Sequence, residues 1–325
     1  MTPETPYDLP KILFKNTPTL SQHEKDHEFN EKRLLLVPII EKYLTENERF
    51  RDKEISVNFS ENGVSSLVAI LETPEEKLVL KIPLTHTPSE GENYFLQTWE
   101  QYGVVVPHVI EEGDLEGHPY TLMQHIDAPT LATSHTYNEL IAEKKFVSIG
   151  QTLRMMHIPQ TEGYGRVYNG QAEHTTFEEW LQGTQIQEKI NYTREHKLLA
   201  EQEEFLPHAY TLLTNHTLTE KHSRLCHNDF AAYNIFDTEP LTVFDPDPRL
   251  NNNYIDLGRS IVIAIAHSGL SETAEQLIEG YFGTDVPDME ILRASILLNS
   301  CIKFPQWHAT GKLKNIQRVL DYLRA

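Results

Sequence analysis

Asp229, Asn234 and Asp245 are the residues whose types and spacing best suit chemistry in this chain. They stand in LCHNDFAAYNIF (225–236) and VFDPDP (243–248). Five positions separate Asp229 from Asn234, and on a short loop both side chains can face one cleft. The chemistry such a set serves is phosphoryl transfer from a metal-bound nucleotide. A carboxylate beside the attacking hydroxyl orients it and takes its proton, while an amide oxygen and a second carboxylate hold Mg²⁺ on the phosphates. Asp and Asn are common turn residues, so any one of them alone says little. Together, flanked by apolar Leu225, Ile235, Val243 and Phe244, they point to a site.

Lys81 is a further candidate. In KLVLKIP it stands among apolar Leu78, Leu80 and Ile82, the pattern of an inner strand. A cation there can meet the α- and β-phosphates of ATP if a carboxylate holds it. A phosphate-covering loop is expected at 60–66, SENGVSS, where backbone N–H groups and serine hydroxyls, including that of Ser65, can contact phosphate. The loop has one glycine and no G-x-G-x-x-G, so an ordinary hairpin turn explains it equally well.

The elements that must position these residues follow from periodicity. Apolar positions from Phe29 to Tyr43 suit an amphipathic helix despite Pro38. Ile55, Val57 and Phe59, then 67–71 and 78–82, read as an antiparallel meander of about three strands. A helix over 90–102 and two further strands follow, then a proline-bearing connector at 126–133. Beyond 137 helical patterns dominate, apart from a hairpin at 234–245. Residues 1–28 look like a loose or peripherally docked arm. The expected division is an N-terminal arm and helix at 1–50, a nucleotide-binding sheet lobe at 51–127 and a helical lobe at 128–325.

HNDFAAYNIF and VFDPDP resemble the H-[GN]-D-x-x-x-x-N and D-x-[DE] motifs of the aminoglycoside phosphotransferase and choline kinase superfamily. The resemblance extends from about residue 50 to 325. It implies an α+β, two-lobed protein-kinase-like fold, with a small antiparallel-sheet N-lobe and a larger, mainly helical C-lobe. It also implies Asp229 as catalytic base and Asn234 and Asp245 as Mg²⁺ ligands. GENYFLQTWEQYGVVVPHVI resembles the family's E-x-x-x-L-x-x-L…VPVPxVL stretch, which makes Glu92 the partner of Lys81, with Glu90 as fallback. The fold places the nucleotide base near Met123 to Ile126, with Met123 and His125 as contacts. Asp247 either supports the metal through water or caps a turn. His227 is expected to pack behind the loop. Asp256 reads as an N-cap of the helix after it, its family counterpart bracing the catalytic loop through backbone N–H groups. Asn228 replaces the glycine usual in the antibiotic-modifying members and is similar to the choline kinase version.

Composition narrows the rest. The chain has 325 residues and a formal charge of −20, a surface that repels nucleic acid and anionic lipid and attracts a cationic acceptor, or simply keeps the chain soluble. Two cysteines and no basic-then-apolar N-terminus suggest a reducing, cytoplasmic setting. No G-x-S-x-G occurs, and no dedicated zinc site is expected. The expected reaction moves the γ-phosphate of ATP, with GTP left open, to a hydroxyl of an aminoglycoside or similar amino-sugar. No nucleic acid or membrane partner is expected, and the oligomeric state is not read from the sequence. Candidate pocket acids are Glu178, Glu179, Asp285 and Asp288. Trp180, Tyr281, Phe282 and Trp307 would serve a quaternary ammonium if the enzyme were of choline or ethanolamine type. A non-catalytic pseudokinase is the other alternative, and the intact set of Lys81, Asp229, Asn234 and Asp245 argues against it.

Overall fold

The computed structural model describes residues 9–20, 27–61, 65–84, 90–168 and 171–325. Two compact units result, one from residues up to 89 together with 107–127, the other from 90–106 and 128–325.

The first unit contains β1 (Lys11–Phe14), α1 (His27–Glu46), β2 (Glu54–Phe59), β3 (Ser66–Glu72), β4 (Lys77–Pro83), β5 (Val109–Leu115) and β6 (His118–Gln124). The strands form one sheet in the order β1-β2-β3-β4-β6-β5. Alternation drives it: β4 buries Leu78, Leu80 and Ile82 and leaves Lys77, Val79 and Lys81 less buried. The buried face packs on Leu36, Ile40 and Leu44 of α1, which runs on through Pro38. Part of the stretch expected as a loose arm is a strand instead. β1 pairs parallel to β2, with Ile12 opposite Ile55. Asn16 clamps the join, its amide donating to the Phe59 carbonyl (2.8 Å) while its carbonyl accepts from the Phe59 N–H (2.7 Å).

The second unit begins with α2 (Glu90–Gln101) and continues through α3 (Leu131–Ser134), α4 (Tyr137–Ala142), α5 (Lys145–Met156), β7 (Gln160–Thr161), β8 (Tyr164–Tyr168) and β9 (Gln171–His174). Then come α6 (Phe177–Gln182), α7 (Thr184–Glu195), α8 (Leu206–Glu220) and β10 (Ser223–Cys226). β11 (Ile235–Phe236), β12 (Thr242–Val243), β13 (Arg249–Asn251), α9 (Asn253–Ser268), α10 (Ser271–Phe282), α11 (Met289–Ala309) and α12 (Leu313–Arg324) complete it. Every residue of α9 from Tyr254 to Ala266 is buried, as expected for a helix apolar on nearly all sides. Where α5 crosses α10, a Cβ on Gly280 would collide with the Val147 backbone and one on Gly150 with the Leu277 carbonyl. Glycine is therefore needed there for close approach. A small sheet in the order β7-β10-β13-β8-β9, not anticipated from the sequence, underlies the loop of interest. No helix of the described residues is long and apolar enough to cross a membrane.

Candidate active site

The loop after β10 is held from behind. Asp256, buried in the first turns of α9, accepts the His227 N–H (2.7 Å) and the Asn228 N–H (2.8 Å) on its two oxygens. His157 Nε2 lies 3.1 Å from the oxygen that serves His227. Burial alone would raise this carboxyl's pKa, but the bond with His157, the nearby imidazoles and the backbone donors outweigh it and hold it below the usual value. The expected brace is present, and the expected N-cap is not. α9 starts earlier, with the Asn252 side chain accepting from the Tyr254 N–H (2.8 Å). His227 is fully buried, stacks on Trp99 with centroids 6.0 Å apart, and donates from Nε2 to the Phe244 carbonyl (3.0 Å).

Asp229 and Asn234 meet. The Asn234 amide nitrogen donates to the Asp229 carbonyl (2.9 Å) and to its Oδ2 (3.2 Å), and the Tyr233 hydroxyl donates to Oδ1 (3.1 Å). Lys303 of α11 reaches within 3.7 Å of the same Oδ1. β11 and β12 pair Ile235 with Val243, and the Phe244 N–H donates to the Asn234 carbonyl (3.2 Å). Asp245 thus follows directly on the residue bonded to Asn234. It is exposed, with φ of 53°, and Asn228 has φ of 60°. Both lie in the left-handed region that Asn and Asp tolerate best.

The donor set suits a hard cation. With its nitrogen turned to Asp229, Asn234 leaves its side-chain oxygen for a ligand, and Asp245 adds a carboxylate, the oxygen chemistry Mg²⁺ prefers. Asp247 is otherwise occupied, accepting from the Asn228 amide (2.7 Å) and pairing with Arg249 (2.7 Å). Among the described residues, donor atoms of His157, Cys226 and Asp256 also converge within 4.8 Å. That group is the brace itself, and burial drives the Cys226 thiol well above its ordinary pKa.

The other expected residues are distributed between the units. In the first, Lys81 lies on β4 opposite Val68 and Thr121, on the face away from the α1 core. Met123 is buried on β6 opposite Val79, and the His125 N–H donates to the Lys77 carbonyl (3.3 Å). Burial and the nearby Lys77 lower the His125 pKa. Ser65 is exposed, and its carbonyl accepts from the Leu84 N–H (2.9 Å). Residues 62–64 of the expected phosphate loop lie outside the described residues. Glu92 sits in the first turn of α2, which Glu90 opens, in the second unit.

Beside the loop that carries Asn228 and Asp229, wholly within the second unit, opens a cavity of about 510 Å³. Asn228 and Asp247 form part of its wall, and Arg166, Lys189, Arg249 and Arg259 line it as well. None of the four cations was singled out in the sequence. Arg259, a lone guanidinium in DLGRSIVIAIA, was the legible signal. The acids expected to form a pocket are spent elsewhere: Asp285 pairs with Arg154 (2.7 Å), Asp288 caps α11, Glu179 closes a capping box with Thr176, and Glu178 is exposed. Of the four aromatic candidates only Trp180 lines the cavity.

The fold and the loop together define a kinase-type phosphotransferase, and the comparisons agree. The sequence model of the phosphotransferase enzyme family (APH) matches residues 57–293. The chain belongs to this family, and is an ATP-dependent small-molecule phosphotransferase by class. Among solved structures it is similar to a microcompartment-associated aminopropanol kinase, with a TM-score of 0.63, 14% identity and coverage of 89% of this chain and 96% of that one. A thermostable mutant of aminoglycoside phosphotransferase APH(4)-Ia, in ternary complex with AMP-PNP and hygromycin B, gives a TM-score of 0.60 at 15% identity, covering 88% and 96%. A putative fructosamine-3-kinase from Thermobifida fusca YX-ER1 gives 0.55 at 16%, covering 83% and 95%. No curated protein matches the chain.

Proposed function

We propose that this enzyme transfers the γ-phosphate of ATP to a hydroxyl of a small molecule, with Asp229 orienting that hydroxyl and taking its proton. Asn234 and Asp245 hold Mg²⁺, which when bound neutralises charge on the phosphates. Within the first unit, Lys81 meets the α- and β-phosphates, Ser65 contacts them, and the segment at Met123 and His125 receives the base. The carrying observation is the bond from the Asn234 amide to Asp229 Oδ2 at 3.2 Å. It fixes the carboxylate and turns the neighbouring oxygen towards a ligand. Lys303, 3.7 Å from Oδ1, helps to hold the same carboxylate in place.

The acceptor expected from net charge and family is an aminoglycoside or other amino-sugar. Solved relatives include complexes with hygromycin B and with spectinomycin. The engagement of Asp285, Asp288 and Glu179 elsewhere weakens that choice, so the reading carried forward is a hydroxyl acceptor of small size.

The test is acceptor-dependent ADP release from Mg·ATP. Asp229→Ala is expected to cut transfer by about 10²–10⁴-fold and to keep Mg·nucleotide binding. Asp245→Ala should lose nucleotide affinity where Asp247→Ala does not. Near-wild-type turnover by Asp229→Ala would remove it from the role of base.

A further inference from the structure

We propose that the acceptor carries an oxyanion, a phosphate or a carboxylate, bound in the cavity beside Asn228 by Arg259 together with Arg166 and Lys189. The inference rests on the phosphotransferase reading above and names the chemistry of its second substrate.

Arg259 carries the argument. Its residue is 8% exposed, and its Nε is buried with no hydrogen-bond partner. Among the described residues no carboxylate forms an ion pair with its guanidinium. A guanidinium taken out of water needs charge-assisted partners, and without one it is among the costliest groups to bury. Here it lines an open cavity, and two more cations, Arg166 and Lys189, line the same space without a carboxylate partner among the described residues. Desolvation, Arg259, Arg249 and Arg166 all push the Lys189 pKa down, opposed by Asp247. These groups therefore crowd one another.

The acids of the wall do not answer them. Asp256 is saturated by the His227 and Asn228 N–H groups. Asp247 is shared between Arg249 and Asn228. Glu173 accepts the backbone N–H of Arg166 (3.2 Å) and lies 3.9 Å from His174. A ligand supplying two or three acceptor oxygens would complete the set, and guanidinium groups match carboxylate and phosphate in geometry. The position suits an acceptor: Asn228 of the wall precedes Asp229, and Lys303 feels both Arg259 and Asp229. An oxyanion held here would bring a hydroxyl of the same molecule towards the base.

The experiment is calorimetric titration of the full chain with inorganic phosphate, with and without saturating Mg·AMP-PNP. Arg259→Gln and Arg166→Gln are run beside the wild type, the second at a half-buried site that spares the helix core. ADP release is then compared for glycerol 3-phosphate, glycerate and an aminoglycoside. Phosphate is expected to bind in the presence of the nucleotide, each variant weakening it about ten- to a hundredfold. Turnover of glycerol 3-phosphate would identify a phosphate-bearing acceptor, and turnover of glycerate alone a carboxylate. Phosphate displaced by Mg·AMP-PNP would assign Arg259 to the nucleotide and overturn the proposal. So would aminoglycoside turnover unaffected by phosphate and by both substitutions. Failure of Mg·AMP-PNP to bind at all would instead overturn the phosphotransferase reading, whatever phosphate does.

Discussion

Asp256→Asn tests how much of the loop bearing Asp229 hangs on one buried carboxylate. The wild-type side chain accepts backbone N–H groups at 2.7 and 2.8 Å and faces His157 at 3.1 Å. An asparagine of the same shape keeps one acceptor oxygen and presents an NH₂ to the other donor. One charge-assisted bond is lost, about 1.5–3 kcal/mol, and one buried N–H is left unsatisfied, about 1–3 kcal/mol. Removing a buried charge offsets part of this, leaving a net loss of roughly 2–4 kcal/mol. At about 2–4 °C per kcal/mol for a unit of this size, the melting temperature should fall by roughly 5–15 °C. A catalytic loop shifted by about 1 Å should also lose on the order of 10² in turnover. Because the folded pKa of Asp256 is depressed, its contribution is fully present above the unfolded value near about 4 and is lost as pH falls through the folded one. The gap between wild type and variant should therefore close in acid. Calorimetry across the acid-to-neutral range with parallel ADP-release assays reads all three effects. A variant that melts within about 1 °C of wild type at neutral pH and turns over normally would refute the brace.

Two further outcomes follow from packing and burial. Lys303, whose pKa is pulled to about 8 by burial and then by Arg259, against Asp229 and Asp247, should give a ¹³C-dimethyl-lysine resonance titrating near 8 and missing in Lys303→Arg; a midpoint above about 10 would show the ammonium to be solvated. Since the unfolded chain holds this proton to higher pH, the residue's effect on stability should grow more favourable as pH rises from about 8 to about 10. Gly280→Ala should destabilise by about 1–3 kcal/mol, read by thermal or denaturant unfolding, because its Cβ would fall on the Val147 backbone.

What could be read in advance was local. The 227–234 loop and its hairpin lie close together in the chain, so type and spacing sufficed to anticipate that Asp229 and Asn234 meet, with Asp245 just after the hairpin. β2 to β4 announced themselves through alternation, and α2 through Phe95, Leu96 and Trp99, all buried, although Tyr94 beside them is exposed. β1 was missed because KILF is only four residues long and its partner, β2, lies 43 positions on. No sequence window contains that pairing or the Asn16 clamp. Asp256 was placed at a helix start because Asp is a good cap, yet Asn252 does that work and frees the carboxylate to reach back to the loop. Arg166, Lys189, Arg249 and Arg259 come from β8, α7, β13 and α9. Only tertiary structure gathers them.

The same distinction explains why a chain of charge −20 pointed to a cationic acceptor while its cavity points the other way. Net charge governs solubility and long-range approach. At physiological ionic strength, exposed charges more than about 8 Å apart are largely screened from one another. Inside a cavity the nearest groups decide, and low-dielectric walls strengthen their effect. Here the acids of the wall are consumed by backbone donors, Asn228 and Arg249, whereas Arg259 is held by the buried stretch of α9 with no carboxylate among the described residues to answer it. Selection for mere solubility gives no reason to bury an unpaired guanidinium next to the loop bearing Asp229. Binding an oxyanion there does, because the cost of desolvating Arg259 is then met when the loop has a substrate to act on.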